Sequence, residues 1–183
     1  MTNLSSRSRS DLLALLRVSC GFVSEMDSLW FLAMQESYGR EEAVKFTIRV
    51  RERYTQMLVK RVKNQLGLSG SGIEMMRQVI EADPFFLAND YEISHLSRDR
   101  MFLRVNMCAS VDGMERPRRK ELMCEATTAA YFRNLAKEIE AKVTVHAIRV
   151  PPGNSPDEPC CEWLFEAQPP AATNPLPGNT VES

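Results

Sequence analysis

The stretch from residue 101 to residue 166 constrains the fold more than any other part of the chain. Apolar residues alternate with period two in FLRVNMC, take helical spacing in MCEATTAAYFRNLAKEIE, and alternate again in KVTVHAI and CCEWLFEA. Such patterns are typical of a strand, a helix and two further strands. A chain that mixes strands and helices in this way must cover one face of a sheet with helices, which predicts an α+β fold.

The residues before this stretch are expected to form helices, because apolar residues recur there at three- and four-residue spacing. The predicted helices cover residues 12–22, 26–38, 41–66 and 73–82. Their expected ends are Gly21, Gly39, Gly67 and the residue before Pro84. The expected N-caps are Asp11, Ser24 and Ser71, the last in a capping box with Glu74. Candidate core residues of the first helix are Leu12, Leu13, Leu15, Leu16 and Phe22.

Four strands complete the prediction. A first strand is expected over 86–94 and a second over 101–107, and the short connection between them makes the pair antiparallel. A helix that starts at residue 118 or 121 and ends at 140 precedes strands over 143–148 and 161–166. The alternation of the last strand places Cys161, Trp163 and Phe165 on one face of the sheet. About five helices therefore pack on a four-stranded, mainly antiparallel sheet.

Length and charge limit the class of protein. The chain has 183 residues, of which 44% are hydrophobic, and this suits a single domain. We expect one α+β domain over residues 11–167, with disordered ends over 1–10 and 168–183. The net charge of −1 gives no overall attraction to nucleic acid or to an anionic membrane. Neither a membrane span nor a secretory signal is recognisable, so a cytoplasmic location is expected.

The cysteines are the first candidates for chemistry. Cys108, Cys124 and Cys161 lie at the joints between predicted elements, where strand ends and helix starts can converge. Three thiolates, with His146 or Glu36 as a further ligand, would suit zinc or iron. Cys124 alone, near a helix N-terminus, could instead be a nucleophile of lowered pKa. The alternative is that the thiols are buried and pack as small hydrophobic groups.

Four other side chains are candidate site residues. Arg116 lies in a basic loop before a helix and could clamp a carboxylate or phosphate, unless the loop is simply solvated. Trp30 and Trp163 could line an apolar pocket or belong to the core. Glu36 lies beside an apolar helical stripe and could act as acid or base, or face solvent. No nucleotide-binding or Ser-His-Asp motif is present.

Short motifs carry a resemblance to known proteins over residues 11–167. They are SLWFLAMQESYG at 28–39, YFRNLAKEI at 131–139, VPPG at 150–153 and CEWLF at 161–165, together with Cys108 and Cys124. The chain is similar to an uncharacterised family of prokaryotic domains of unknown function. It resembles, more distantly, the L-2-amino-thiazoline-4-carboxylic acid hydrolase family and the vinyl-reductase-type small-molecule-binding domains. The resemblance strengthens the case for a functional Cys108–Cys124–Cys161 cluster.

Three functions follow as expectations. The leading one is a domain that binds a small organic acid containing sulfur or nitrogen and acts on it as a hydrolase or lyase. In that interpretation Cys124 and Glu36 are catalytic, while Arg116, Trp30 and Trp163 bind substrate. The second is a non-catalytic ligand or metal sensor. The third is a module that forms a homodimer through the long helix over 41–66.

Overall fold

The computed structural model describes residues 4–112, 123–151 and 158–168. Within these ranges a short 3-10 turn at Leu4–Ser6 precedes six α-helices and four β-strands. The helices are α1 (Arg9–Tyr38), α2 (Arg40–Leu66), α3 (Gly72–Ala82), α4 (Pro84–Leu87), α5 (Ala109–Asp112) and α6 (Cys124–Glu138). The strands are β1 (Asp90–Ser97), β2 (Arg100–Met107), β3 (Val143–Arg149) and β4 (Cys161–Ala167). The predicted α+β fold is confirmed.

The four strands form one antiparallel sheet in the order β1-β2-β4-β3. Leu103 at the centre of β2 lies opposite Ile93 of β1 and Trp163 of β4. Val145 of β3 lies opposite Phe165. The last strand thus joins β2 to β3 and occupies an interior position, which explains why its apolar residues are buried.

The two faces of the sheet differ as the alternation in the sequence predicts. Trp163 and Phe165 are fully buried on the face that the helices cover. On the opposite face the Nε atom of Arg104 lies 2.9 Å from Oε1 of Glu162, and Nε of Arg100 lies 2.8 Å from Oε1 of Glu166. Charged cross-strand pairs suit a face that borders water.

An aromatic cluster forms the centre of the core. The ring of Phe132 in α6 is 4.9 Å from that of Phe165 and 5.2 Å from that of Trp163, both in edge-to-face contact. The same ring lies 5.8 Å from Phe86 and 5.2 Å from Tyr131. Phe132 therefore joins α6 to the sheet and to α4.

The first two predicted helices are one continuous helix, so the expected break at Gly21 is wrong. A glycine inside a helix costs about 1 kcal/mol relative to alanine, which a helix of this length tolerates. Ser24, expected to be an N-cap, is a buried helical residue whose carbonyl accepts a hydrogen bond from Ser28 at 3.0 Å. The true N-cap is Ser8, whose side chain accepts from the amide of Asp11 at 3.1 Å.

The strand predicted over 86–94 begins too early. Asp83 ends α3 but also caps α4 by accepting a hydrogen bond from the amide of Phe85 at 2.9 Å, and Pro84 takes the first helical position. The Phe85-Phe86-Leu87 run is therefore helical, and β1 starts at Asp90. The expected capping box at Ser71 is also absent, since Glu74 pairs with Arg77 instead.

The largest difference from the prediction concerns the first helix, whose predicted core residues are exposed. Leu12 is 40% exposed and Phe22 is 65% exposed, and the other three predicted core residues of this helix are exposed as well. The buried residues of α1 are Cys20 and Ser24. The predicted helix over 41–66 is confirmed as α2. The helix predicted to end at residue 140 corresponds to α6. Its predicted start at residue 118 or 121 lies outside the described residues.

Candidate functional site

The helices line a partly open cavity of about 160 Å³. Its wall is built from α1, α2, α4, α5 and α6, together with Asn89 and Cys108 in the connections. Apolar side chains such as Phe31, Phe85 and Val111 make up part of the lining. A mainly apolar cavity with a few convergent polar groups is the usual form of a small-molecule site.

Arg51 of α2 brings a positive charge to this cavity. Its Nη2 atom lies 2.5 Å from Oδ2 of Asp27 in α1, and its guanidinium carbon lies 4.3 Å from the centre of the Phe85 ring. The carboxylate and the aromatic face hold the guanidinium in place. The Asp27 bond uses one nitrogen, so among the described contacts the other guanidinium donors are left for a ligand.

Hydroxyl groups on the wall present acceptors to the cavity. The hydroxyls of Ser28, Thr47 and Thr127 donate to backbone carbonyls of the preceding helical turn at 3.0, 2.9 and 3.0 Å. A hydroxyl whose hydrogen is used in this way still offers oxygen lone pairs. The wall therefore combines the Arg51–Asp27 ion pair with neutral acceptors.

The buried carboxylate of Asp83 is hydrogen-bonded to Tyr131, which is a residue of the cavity wall. Asp83 is fully buried and accepts a hydrogen bond from the hydroxyl of Tyr54 at 2.6 Å and another from the hydroxyl of Tyr131. Burial raises the pKa of Asp83, although the hydrogen bonds from both tyrosines oppose that shift. Burial and the Asp83 charge raise the pKa of Tyr131 well above its usual value, so this cavity residue stays a protonated donor.

Two of the predicted cysteines lie on the cavity wall. Cys108 and Cys124 line the cavity, while the Cys108 thiol is hydrogen-bonded to Cys160, which is in turn hydrogen-bonded to Cys161. Burial raises the pKa of Cys124 to about 12. The Cys160 contact and burial raise the pKa of Cys108 well above its usual value. The low pKa expected of Cys124 from its place near a helix start is not found, because burial outweighs that effect.

The described residues contain no group of three or more His, Cys, Asp or Glu side chains arranged to hold a metal ion. All five cysteines are among the described residues, and none of them forms a disulfide bond. His146, considered as a further ligand, points to the outer face of the sheet, where its Nε2 atom is 3.1 Å from Oε2 of Glu166. The zinc or iron site expected at Cys108, Cys124 and Cys161 stays a prediction without a preformed geometry among these residues.

Trp30, Trp163 and Glu36 do not line the cavity. Trp30 is 66% exposed on α1, and Trp163 is buried in the core against Phe132. Glu36 is exposed near the end of α1. Arg116 lies outside the described residues. The position that reasoning from sequence missed is Arg51, whose spacing of seven residues from buried Leu58 and four from buried Thr55 already places it toward the inner face of α2.

Comparison with known protein families decides the membership of the chain. Residues 5–167 match the model described as "Family of unknown function (DUF6125)". The chain belongs to DUF6125. The predicted membership of a domain-of-unknown-function family is thereby confirmed, and the more distant resemblances stay predictions. No curated protein matches this DUF6125 chain.

A solved structure shares the fold of this DUF6125 chain. It is a trafficking protein particle complex subunit 3 from Naegleria fowleri, covalently bound to palmitic acid. The two chains are 10% identical, and the similarity has a TM-score of 0.58 and covers 83% of this chain and 96% of the other. At this identity the similarity establishes a common fold. In the described part of the chain, no helix has the length and apolar character needed to cross a membrane.

Proposed function

We propose that this DUF6125 protein is a small-molecule-binding domain whose ligand is a small organic acid held in the cavity by Arg51. The observation that carries the proposal is the cationic guanidinium on the wall of a mainly apolar cavity. A carboxylate can take the guanidinium donors that Asp27 does not use. Arg51 thus takes the anion-binding role that the sequence suggested for Arg116.

The volume of the cavity favours a small ligand. A cavity of about 150 Å³ is known to admit a benzene-sized molecule, and the cavity here measures about 160 Å³. The acyl chain of palmitic acid, which the trafficking subunit carries, is much longer than such a molecule. The acceptor oxygens of Ser28, Thr47 and Thr127 would suit amine or amide hydrogens on the ligand. These features favour a compact acid that contains nitrogen.

The thiol chemistry favours binding over catalysis by cysteine. With a pKa of about 12, Cys124 is almost entirely protonated at neutral pH, whereas a cysteine nucleophile acts as the thiolate. Neutral thiols of Cys108 and Cys124 instead give the wall a soft, polarizable surface. A more specific proposal is that the protein acts on such an acid as a hydrolase or lyase. That proposal requires enzymatic turnover of the acid by the wild type and its loss in Cys124→Ser.

Ligand-induced stabilisation tests the proposal. The wild-type protein would be heated with benzoate, with 2-amino-thiazoline-4-carboxylate and, separately, with palmitate, and titrations would follow any shift. A ligand at a hundred times its Kd stabilises the folded state by about 2.7 kcal/mol, which raises Tm by roughly 5 to 11 °C for a domain of this size. We expect the small acids to raise Tm more than palmitate does.

Matched variants assign the effect to Arg51. Arg51→Met should abolish the shift, Arg51→Lys should retain part of it, and Arg53→Met on the exposed face of α2 should leave it unchanged. Because Arg51→Met leaves Asp27 without its partner, the double variant with Asp27→Asn separates ligand loss from destabilisation. Equal stabilisation of wild type and Arg51→Met by these acids, or none in the wild type, would refute the proposal.

A further inference from the structure

The outer face of α1 carries an uncovered apolar stripe. The residues of this stripe are all exposed to solvent, and they lie on the side of α1 opposite buried Cys20 and Ser24. We call it the Phe22 stripe, and it consists of Leu15 (39% exposed), Val18 (56%), Phe22 (65%), Met26 (57%) and Leu29 (60%). A spacing of three and four residues keeps all five on one side of a helix over four turns.

The Phe22 stripe is large enough for a specific interface. With its neighbours Leu12 and Trp30, which are 40% and 66% exposed, it presents apolar surface over most of the length of α1. These seven side chains expose on the order of 800 Å², similar to the roughly 800 Å² per partner of a standard interface. A patch of this size on a soluble protein marks an interaction site.

The order of residues in the Phe22 stripe points to what covers it. Counted from Phe22, the other members lie four and seven residues away in both directions, so the spacing reads the same from either end. If two copies of α1 pack antiparallel, Phe22 meets Phe22, Val18 meets Met26, and Leu15 meets Leu29. Every contact in such a pair is apolar, and each pairing is reciprocal, as a two-fold interface between identical surfaces requires.

Two further observations, one on α2 and one on the charge of α1, favour a second copy of α1 as the partner of the Phe22 stripe. On α2 the exposed Phe46 already contacts the guanidinium of Arg49, whose carbon lies 5.7 Å from the ring centre. A helix that lies on an anionic membrane carries basic residues on its polar face. Helix α1 has two basic and four acidic residues, which does not fit that pattern.

We propose that the protein forms a homodimer by antiparallel packing of α1 on α1, with Phe22 on the two-fold axis. The seam is thus on α1, and not on the helix over 41–66 that the sequence suggested. Because α1 also supplies Asp27 and Phe31 to the cavity, the interface and the cavity occupy opposite faces of one helix. Dimer formation leaves the cavity wall on the inner face accessible to a ligand.

Molar mass in solution tests the dimer. Light scattering on a sizing column, over protein concentrations of about 1 to 100 µM, should give a dimer for the wild type. Phe22→Glu should raise the dimer dissociation constant at least about a hundredfold, because two central anchors become charged. The matched control is Met57→Glu, which changes a residue of α2 that is 52% exposed and should leave the dimer intact. Both positions are exposed, so circular dichroism should show an unchanged fold.

Disulfide cross-linking tests the register. Phe22→Cys should cross-link to itself under mild oxidation, whereas Val18→Cys and Met26→Cys should cross-link efficiently only when the two variants are mixed. A monomeric wild type at the highest concentration would overturn the proposal, whether or not it binds vesicles of phosphatidylcholine and phosphatidylserine. A dimer that Phe22→Glu does not weaken, or that gives another cross-linking pattern, would overturn it as well.

Discussion

Asp83 is the side chain whose replacement should disturb the helical layer most for the smallest change in volume. Its carboxyl group joins three elements, since it accepts from Tyr54 of α2 at 2.6 Å, from Tyr131 of α6, and from the amide of Phe85 in α4 at 2.9 Å. The carboxyl group is fully buried, so its oxygen atoms are kept from water. The variant Asp83→Ala removes all three hydrogen bonds, whereas Asp83→Asn removes one of the two acceptor oxygens.

The expected size of the effect follows from the donors left without an acceptor. A buried donor without a partner costs about 1 to 3 kcal/mol. In Asp83→Ala three donors are affected, and partial exposure of Tyr54 lets water satisfy one of them. The two remaining donors give a loss on the order of 2 to 6 kcal/mol. Asp83→Asn keeps one acceptor oxygen for Tyr54 and Phe85, so we expect a loss of about 1 to 3 kcal/mol.

The pH dependence of stability gives an independent test. Burial raises the pKa of Asp83 in the folded protein above the unfolded value of 3.8. A group with a raised folded-state pKa stabilises the fold most below its unfolded pKa, and this stabilisation is lost as the pH rises through the folded-state pKa. The free energy of unfolding attributable to Asp83 should therefore fall as the pH rises above about 4. Asp83→Asn should lack this component.

Urea unfolding followed by circular dichroism measures both effects. The control is Asp90→Asn, which changes an exposed aspartate at the start of β1 and should alter stability by less than about 0.5 kcal/mol. An Asp83→Asn protein with the wild-type midpoint, the wild-type slope and the wild-type pH dependence would refute the reasoning. It would mean that the buried carboxyl group contributes nothing that a neutral amide cannot supply.

Three further predictions concern the core and the thiols. Phe132→Ala should lower the free energy of unfolding by about 3 to 5 kcal/mol in the same urea experiment, since it empties the centre of the aromatic cluster; a loss below about 1 kcal/mol would contradict that packing. Iodoacetamide at pH 8 should modify Cys124 on the order of a thousandfold more slowly than a free thiol, because its pKa is about 12, and mass spectrometry of the labelled peptide would show any faster reaction. Zinc and iron analysis of the reduced protein tests the predicted metal site, since one bound ion lost in both Cys108→Ser and Cys124→Ser would establish it and none would exclude it.

The sheet was predictable from the sequence because its strands are short and strictly alternating. In β4 the period of two places Trp163 and Phe165 on the face that the helices cover. Glu162 and Glu166 lie on the other face, where Glu162 is also buried and pairs with Arg104. The start of β1 was missed because Pro84 was interpreted only as the end of a helix. A proline also suits the first turn of the next helix, and Asp83 supplies that helix with a cap.

The cavity was less predictable because its decisive contacts join distant parts of the chain. Arg51 and Asp27 are 24 residues apart, and they meet only because α1 and α2 run antiparallel after the turn at Gly39. A single sequence shows both as ordinary helical charges. The cysteines were easier to place, since Cys108 and Cys124 do lie together on the cavity wall. Their raised pKa could not be foreseen, because it depends on burial by other elements.

Helix α1 explains why periodicity alone gave the wrong core. A helix that is apolar on every side is normally covered on every side, yet the domain itself buries only Cys20 and Ser24 of this helix. The sequence around Leu12, Leu13 and Phe22 was therefore interpreted as core although the domain leaves these residues exposed. If a second copy covers the Phe22 stripe, Phe22 and its neighbour Leu12 are buried in the assembly, and the apolar residues on this side of α1 reflect the dimer and not the isolated domain.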